Sequence, residues 1–337
     1  MTLAPGSLDS AADSGSLLRL DNVDVSYARR GHSPVRAVIG ASLTVRAGEI
    51  VGLVGESGCG KSTLGRAAVG LIAPSAGQVR YRDEPLAALG RAPRPSRVRS
   101  LQMVFQDPYA SLNPRRRVGH QIADAARLGW GARFDGSEAD DYVASLLERV
   151  GLSGSIAHRY PHEFSGGQCQ RIAIARVLAT EPSCVVADEP ISSLDASAQA
   201  QIANLLAQIV DESGLGMLFI SHDLSVVGKI AHRTLVMYLG RIVESGGTAQ
   251  IWADPAHPYT RALIAAIPKP GAGSGLPSEL PGDVPNPARP PAGCRFHPRC
   301  PVAMDRCREE VPAEVDVEPG WYSACLRTEP REASRRL

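Results

Sequence analysis

The chain has 337 residues, a formal net charge of +1 at pH 7, 44% hydrophobic residues and 21% charged residues. This composition is typical of a soluble globular protein, and the balanced charge argues against broad nucleic-acid binding and against a polybasic membrane anchor. The length fits one large domain with an appendage, and no apolar run approaches the roughly 18 residues of a membrane span.

The N-terminal segment, residues 1–16, has no basic start and no apolar stretch. We therefore expect a short disordered tail there rather than a signal peptide. A protein without a secretion signal is expected to be cytosolic, so its seven cysteines should be reduced thiols.

Hydrophobic periodicity predicts alternating strands and helices along the chain. Strands are predicted over residues 17–28, 37–58 (two strands around an Ala-Gly turn), 183–190 and 217–223. Helices are predicted over residues 61–71, 139–151 and 168–180. Apolar strands separated by helices are typical of an α/β fold with a mostly parallel sheet that is covered on both faces.

A phosphate-binding loop is predicted between the buried strand and the helix at residue 61. The stretch GESGCGKS (55–62) fits the pattern G-x-x-x-x-G-K-[ST], and a helix N-terminus adds about half a positive charge beside it. Lys61 is predicted to reach the β- and γ-phosphates, and Ser62 to ligate Mg²⁺ with the support of Thr63. A chance Gly-rich turn is the alternative. The predicted nucleotide-binding residues here are Gly55, Ser57, Gly58, Cys59, Gly60, Lys61, Ser62 and Thr63.

Two acids follow the apolar strand SCVVADEP (183–190). Ligands of open α/β sheets bind at the carboxyl ends of the strands, so Asp188 is predicted to hold Mg²⁺ and Glu189 to act as general base toward water. Such a base is worth about 10²–10⁴ in rate. The alternative is a pair of helix-capping acids.

Three residues are weaker candidates on their own. His222, just past an apolar strand, could bond a γ-phosphate, and Gln106 in VFQDP could assist catalysis and Mg²⁺ binding. Tyr27 could stack on adenine. Each also has a purely structural interpretation as a strand-end histidine, a turn residue or a core aromatic.

A second anion site is predicted at the start of the helix RIAIARVLA. Ser165, Gly166, Gly167 and Gln168 precede it, and the two glycines are poor helix formers. The alternative is an ordinary Ser N-cap.

These elements, in this order, resemble the nucleotide-binding cassette of ABC ATPases over about residues 17–250. The resemblance implies a P-loop NTPase fold with a mostly parallel sheet, an antiparallel β subdomain and an α-helical subdomain at about 107–180. In that family two cassettes pair head to tail, and the Ser-Gly-Gly-Gln segment of one caps the ATP held by the other. Ser165 to Gln168 would then face a partner, with Asp195 of SSLD (192–195) along the same interface.

One position departs from the family pattern, and two others support activity. Cys169 stands where Gln, Arg or Lys is common, which predicts a thiol near the interface open to oxidation. Glu189 and His222 are both present, so the resemblance implies a site that can hydrolyse ATP.

Two further stretches, residues 104–122 and 254–268, resemble the ATPase subunits of oligopeptide/dipeptide importers, a group that also serves nickel and glutathione uptake. This implies an ATPase on the cytoplasmic face of the membrane. Its partners would be a second ABC ATPase subunit (a paralogue or a copy), two permease subunits and an extracytoplasmic binding protein, with no nucleic acid. Residues 109–117 would dock the permease or form a solvated Arg-rich loop, and His257-Pro258 would start a helix, alternatively as a local capping device only.

The C-terminal segment, residues 268–337, is predicted to be a Pro/Gly linker and a small Cys-containing domain after a nucleotide-binding domain over 17–267. Five, six and seventeen residues separate Cys294, Cys300, Cys307 and Cys325. The segment resembles the tail of peptide-importer ATPases, some of which bind a 4Fe-4S cluster. Zinc, or four reduced thiols without metal, are the alternatives, and His297 is an alternative ligand.

Two rival functions remain open from the sequence. One is a soluble ABC protein of translation or DNA repair, although such proteins usually carry two cassettes or long insertions. The other is a regulatory partner that does not hydrolyse ATP.

Overall fold

The computed structural model describes residues 15–29, 31–91, 94–130, 137–267 and 282–331. The disordered tail predicted for residues 1–16 lies almost wholly outside these ranges, as does the first half of the predicted linker. Within the described residues no helix is both long enough and apolar enough to cross a bilayer.

The strands of the described residues are β1 (Ser16–Arg29), β2 (His32–Arg46), β3 (Ile50–Val54), β4 (Ala76–Tyr81), β5 (Glu84–Pro85), β6 (Leu101–Val104), β7 (Cys184–Asp188), β8 (Gly216–Ser221), β9 (Arg233–Tyr238), β10 (Arg241–Gly247), β11 (Val315–Glu318) and β12 (Trp321–Ser323). The helices are α1 (Lys61–Ala68), α2 (Pro108–Ser111), α3 (Val118–Trp130), α4 (Ser137–Arg149), α5 (Gly166–Leu178), α6 (Ala196–Ser213), α7 (Leu224–Ile230), α8 (Thr248–Ala253) and α9 (Pro258–Ala265).

The main sheet carries the site. Its strand order is β11-β12-β10-β9-β3-β8-β7-β6, and the five strands from β9 to β6 run parallel. The strands β3, β7 and β8 are buried along their whole length, which explains their continuous apolar sequences. The predicted mostly parallel sheet is therefore confirmed, and its carboxyl ends lie along one edge.

A second sheet, β2-β1-β4-β5, is antiparallel and packs beside the first. Its buried aliphatic side chains share one core with α1 and with residues from β3, β8 and β9. This sheet is the antiparallel β subdomain that the resemblance implied.

The helices α2 to α5 fall inside the segment predicted as the helical subdomain. Apolar residues of α3, α4 and α5, such as Ile122, Leu147 and Ile172, are fully buried in the same core as the parallel strands. Helix α4 ends before Gly151, whose φ of 74° is the left-handed conformation expected just beyond a helix end.

The C-terminal segment adds two strands to the main sheet. Strand β12 pairs antiparallel with β10, and β11 pairs with β12, so both strands extend the main sheet at its edge. The buried Trp321 indole donates to the carboxylate of Glu244 at 2.9 Å. A separate Cys-rich domain is therefore not seen among the described residues, because this segment completes its fold on the edge of the large sheet.

Candidate functional site

The loop between β3 and α1 is held tightly against its neighbours. Gly55 and Gly60 have φ values of +153° and +110°. A Cβ atom at Gly55 would lie 2.1 Å from the carbonyl oxygen of Met237, and one at Gly60 would lie 2.3 Å from that of Ala37. Only glycine allows this close approach, which is the steric reason why the loop sequence has glycine at both positions.

The outer part of the loop is open. A Cβ atom at Gly58 would meet no heavy atom within 4 Å, and Ser57 is exposed. Cys59 points the other way, because its side chain is 2% exposed and belongs to the core beneath the loop. A contribution of Cys59 to phosphate binding would therefore come from its backbone N–H and not from its thiol.

Lys61 is the first residue of α1 and is 4% exposed. Its ammonium group donates to the carbonyl oxygens of Gly55 at 2.7 Å and of Glu56 at 3.0 Å. A buried cation beside this loop is a strong attractor for phosphate oxygens, since burial raises the strength of its electrostatic interactions.

Ser62 and Asp188 come together at the end of β7. The Ser62 hydroxyl donates to Asp188 Oδ1 at 2.7 Å, and Asp188 is 2% exposed. Burial raises the pKa of Asp188, and the Ser62 hydrogen bond opposes that shift. Hydroxyl and carboxylate oxygens are ligands that Mg²⁺ accepts, so this pair fits the predicted metal ligands.

Glu189 stands at the centre of a group of three polar side chains. Its Oε2 lies 3.3 Å from His222 Nδ1 and accepts a hydrogen bond of 3.3 Å from Gln106 Nε2. Its backbone φ is +47°, which is unusual for a residue with a side chain, and its N–H donates to Ile220 O at 3.0 Å. The three predicted catalytic residues are thus brought together, and the structure gives Gln106 a contact with the base rather than with Ser62 or Asp188.

Tyr27 lies beside the start of α1. It is 41% exposed, and its hydroxyl is 3.2 Å from Thr63 Oγ1. This bond anchors an exposed aromatic ring next to the phosphate loop, in a place where a base could stack on it.

The segment from Ser165 to Gln168 lies at the start of α5. Ser165 Oγ accepts from the Gln168 N–H at 3.4 Å, and Gln168 Oε1 accepts from the Ser165 N–H at 3.0 Å, forming a capping box. Both side chains are exposed, and in the described residues each accepts from the backbone N–H of the other residue rather than contacting the phosphate loop. Cβ atoms at Gly166 or Gly167 would sit 3.7 Å from the nearest heavy atoms, so internal packing does not demand glycine there.

Asp195 has a similar local role. It is the exposed N-cap of α6, and its Oδ1 accepts from the Ala198 N–H at 3.0 Å. Within the chain, Ser165 and Asp195 therefore act as N-caps of α5 and α6.

The prediction that the Cys169 thiol is open to oxidation is wrong. The residue is 0% exposed, and its sulfur lies 3.4 Å from the carbonyl oxygen of Pro161. Burial also raises the pKa of this thiol, so less of it is present as the reactive thiolate. The side chain faces the core, on the same side of α5 as Ile172 and Ala173.

The four C-terminal cysteines line one cavity together with Phe296 and His297. All four are free thiols, and burial raises the pKa of Cys294 to about 11. Across the described part of the chain, no group of three or more His, Cys, Asp or Glu side chains is arranged to hold a single metal ion. The structure thus gathers the predicted residues around one space without showing a ready coordination geometry.

Two residues that contact the phosphate loop were missed in the sequence. Arg299 donates from both terminal nitrogens to the Glu56 carboxylate, at 2.7 and 2.9 Å. The hydroxyl of Tyr259 accepts from the Glu56 N–H at 2.9 Å. Arg299 and Glu56 are 243 positions apart, so no local pattern joins them, although Tyr259 lies in the stretch 254–268 that resembles the importer ATPases.

Phosphate-binding and hydrolytic groups along the carboxyl edge of a parallel sheet are the arrangement of a P-loop nucleotide hydrolase. Comparison with known proteins narrows this class. Residues 38–192 match the family described as "ABC transporter", and residues 243–307 match "Oligopeptide/dipeptide transporter, C-terminal region".

Curated relatives agree with both matches. The "Probable peptide ABC transporter ATP-binding protein y4tS" of Sinorhizobium fredii is 47% identical over 323 residues, covering 95% of this chain and 90% of that protein. The "Oligopeptide transport ATP-binding protein AppF" of Bacillus subtilis is 43% identical over 326 residues, covering 94% and 98%. The chain belongs to the ATP-binding proteins of the oligopeptide/dipeptide group of ABC transporters, which confirms the resemblance seen in the sequence.

Solved structures share the cassette. The dimeric post-hydrolysis ATP-binding cassette MJ0796, bound to ADP and Pi, has a TM-score of 0.62 and 26% identity, covering 68% of this chain and 98% of that one. CbiO1 of Clostridium perfringens, part of the ABC transporter complex CbiONQ, has the same TM-score and identity over 71% and 92%. The ABC ATPase fold is therefore confirmed for the larger part of the chain.

Proposed function

We propose that this chain is the ATP-hydrolysing subunit of an importer of oligo- or dipeptides. The observation that carries the proposal is the meeting of Lys61, the Ser62–Asp188 pair and Glu189 at one sheet edge, in a chain whose C-terminal region matches the peptide-transporter family. The relatives at 43% to 47% identity are named as peptide or oligopeptide import proteins, which supports the same cargo class.

The residues of the site divide the work of hydrolysis. Lys61 and the N–H groups of the loop bind the phosphates, and Ser62 and Asp188 would hold Mg²⁺, which neutralises charge on the transferred phosphoryl group. Glu189 orients the attacking water and takes its proton. Gln106 and His222, each 3.3 Å from the Glu189 carboxylate, hold that carboxylate in place. His222 is also the proposed partner of the γ-phosphate.

A second cassette completes each site. Ser165, Gly166, Gly167 and Gln168 are proposed to cap the ATP held by a partner cassette, with Asp195 along the same interface. The support is that Ser165 and Gln168 are exposed and that the two glycines between them are not required by internal packing. The partner is either a paralogue or a second copy of this chain.

The remaining partners follow from the transport function. We place the chain on the cytoplasmic face of a membrane, bound to two permease subunits that receive cargo from an extracytoplasmic binding protein. The segment 109–117 is the proposed docking site, because Tyr109 is 48% exposed and its hydroxyl donates to Phe164 O at 3.2 Å, one residue before Ser165. Nickel or glutathione is the alternative cargo.

For the cysteine cavity we propose a 4Fe-4S cluster held by Cys294, Cys300, Cys307 and Cys325, with zinc as the alternative. The support is their shared cavity and the chemistry of four thiols. A bound cluster would supply a rigid link among these chain segments. Iron and sulfide analysis of anaerobically purified protein decides the matter, and a colourless, metal-free sample would refute the cluster.

The transport function is tested by co-expressing the chain with candidate permease subunits from the same genome. Co-purification with those subunits is expected, together with ATP-dependent uptake of labelled peptides in vesicles supplied with the binding protein. Glu189→Gln should abolish uptake while the complex still assembles. A chain that purifies alone and turns over ATP without any membrane partner would instead favour the soluble ABC factor.

A further inference from the structure

The C-terminal region of the chain reaches back to the phosphate loop and contacts it at Glu56. This residue directly follows the first glycine of the loop, and three of its groups are engaged. Its side chain binds Arg299, its N–H donates to Tyr259, and its carbonyl oxygen accepts from Lys61 at 3.0 Å. Both Tyr259 and Arg299 lie within the region that matches the peptide-transporter C-terminal family.

The Arg299–Glu56 pair has the geometry of a fixed contact. The Arg299 side chain is 4% exposed, the Glu56 side chain 22%, and the two make a bidentate pair. Charge-assisted bidentate pairs are roughly twice as strong as neutral hydrogen bonds and fix the orientation of both partners. Exposed ion pairs contribute little by comparison.

Tyr259 is equally constrained. It is 0% exposed, and its ring centroid lies 4.6 Å from that of Tyr238 and 5.3 Å from that of Phe296. The helix that carries it is capped by His257, whose Nδ1 accepts from the Tyr259 N–H at 3.0 Å. The hydroxyl that meets Glu56 is therefore held from both the helix and the aromatic cluster.

We propose that Tyr259 and Arg299 are positioning residues for ATP binding. They hold Glu56, and through it the phosphate loop, in the conformation that presents the loop N–H groups and Lys61 to the phosphates. The family-specific C-terminal region is on this basis a part of the nucleotide site. The proposal takes ATP as the ligand from the proposed function but does not depend on the transported cargo.

The same contact ties the cysteine segment to the ATP site. Arg299 ends a single 3₁₀ turn (His297–Arg299) that lies between Cys294 and Cys300. Anything that orders these cysteines also orders Arg299, because the next residue in the chain lines their cavity. Disorder in that segment should therefore weaken ATP binding.

The test measures Mg-ATP affinity of the purified full-length chain, and the KM and kcat of the assembled complex, for Arg299→Gln, Tyr259→Phe and Glu56→Gln. We expect Arg299→Gln to weaken ATP binding about tenfold, which equals about 1.4 kcal/mol, with kcat at saturating ATP changed less than twofold. Tyr259→Phe removes only the hydroxyl and should raise Kd about threefold, since it deletes one hydrogen bond. The double variant Glu56→Gln/Arg299→Gln should bind ATP about as well as Arg299→Gln alone.

A matched control is Arg306→Gln. Arg306 makes a bidentate pair with Glu310 in the same segment, at 2.8 Å for both bonds, but its side chain is 65% exposed and the pair lies on the surface. Its loss should leave ATP affinity unchanged. Equal Kd values for Arg299→Gln and Arg306→Gln, or additive effects of the Glu56 and Arg299 changes, would overturn the proposal. If Arg299→Gln fails to fold, Tyr259→Phe decides, and an unchanged Kd there overturns it. Failure of peptide uptake alone would overturn the cargo and not this inference.

Discussion

Two helices of this protein begin with glycine-rich segments suited to anions, and their surroundings differ completely. Helix α1 follows a loop pressed against the backbone of neighbouring strands, and its Lys61 is 4% exposed. Helix α5 begins after Ser165, which is exposed and forms a capping box with Gln168 of its own first turn. The loop before α1 packs closely against neighbouring backbone, whereas the N-cap residue of α5 is exposed to solvent.

The difference assigns the two starts different roles. Around α1 the chain itself places a cation, the Ser62–Asp188 pair and the proposed base Glu189 close together. At the start of α5, the hydrogen bonds of the Ser165 and Gln168 side chains in the described residues are those of the capping box. The proposed role of such a segment is to cover a nucleotide held by another molecule. We therefore call the phosphate loop before α1 the cradle, and residues 165–168, the proposed cap on a partner's ATP, the lid.

The largest effect on the cradle is expected from substitution of Lys61. Lys61→Ala removes a buried cation from the phosphate loop, and we expect ATP affinity to fall about 100-fold, equal to about 2.7 kcal/mol. The matched control is Lys229→Ala, which removes an exposed lysine of α7 and should leave affinity unchanged. Equilibrium binding of a fluorescent ATP analogue measures both. Similar affinities for the two variants would mean that the loop binds phosphate without its lysine.

The proposed role of the lid is tested by replacing each of its two glycines with alanine. Gly166→Ala and Gly167→Ala each place a Cβ about 3.7 Å from its neighbours, so the fold accommodates them, and helix propensity favours alanine by up to about 1 kcal/mol. We expect unchanged or higher thermal stability, unchanged ATP binding by the single chain, and ATP turnover of the assembled complex reduced about tenfold, equal to about 1.4 kcal/mol of transition-state stabilisation.

A control for that substitution is Gly90→Ala, where a Cβ would meet no atom within 4 Å. It should alter neither binding nor turnover. Full turnover in the Gly166→Ala and Gly167→Ala complexes would show that the glycines do not face a nucleotide, and would return the segment to a simple helix cap.

Much of the cradle is predictable because its signals are local. The loop glycines, Lys61 and Ser62 lie within eight consecutive residues, and Asp188 and Glu189 end an apolar strand. Parallel strands bring their carboxyl ends to one edge, so placing the strands places these residues near each other. The burial of Cys169 also had a local signal, since it precedes Ile172 and Ala173 by three and four positions on a buried helical face.

The contacts of the C-terminal segment lacked any such signal. Strand β12 pairs with β10, which lies nearly eighty residues earlier in the chain. Both strands are too short for their sequences to indicate which strand they pair with. The Arg299–Glu56 pair likewise depends on a chain reversal that no periodicity encodes. Pairing between distant short strands is set by the edge that is left uncovered, and that edge is known only when the rest of the sheet has been built.

The smallest effect is expected at Tyr27, at the rim of the cradle. Two substitutions of this residue distinguish stacking on its ring from hydrogen bonding by its hydroxyl. Its ring is 41% exposed, and its hydroxyl is 3.2 Å from Thr63 Oγ1. Base–aromatic stacking is worth about 1–3 kcal/mol, but an open rim position has solvent as a competitor, so Tyr27→Ala should raise the KM for ATP about fivefold. Tyr27→Phe keeps the ring and loses only an exposed bond, so its KM should stay within about twofold. Steady-state ATPase assays with ATP and GTP measure both variants, and the alanine variant should reduce any preference between the two bases. If phenylalanine is as damaging as alanine, the role of Tyr27 is to hold Thr63 and the start of α1, and the adenine does not stack on its ring.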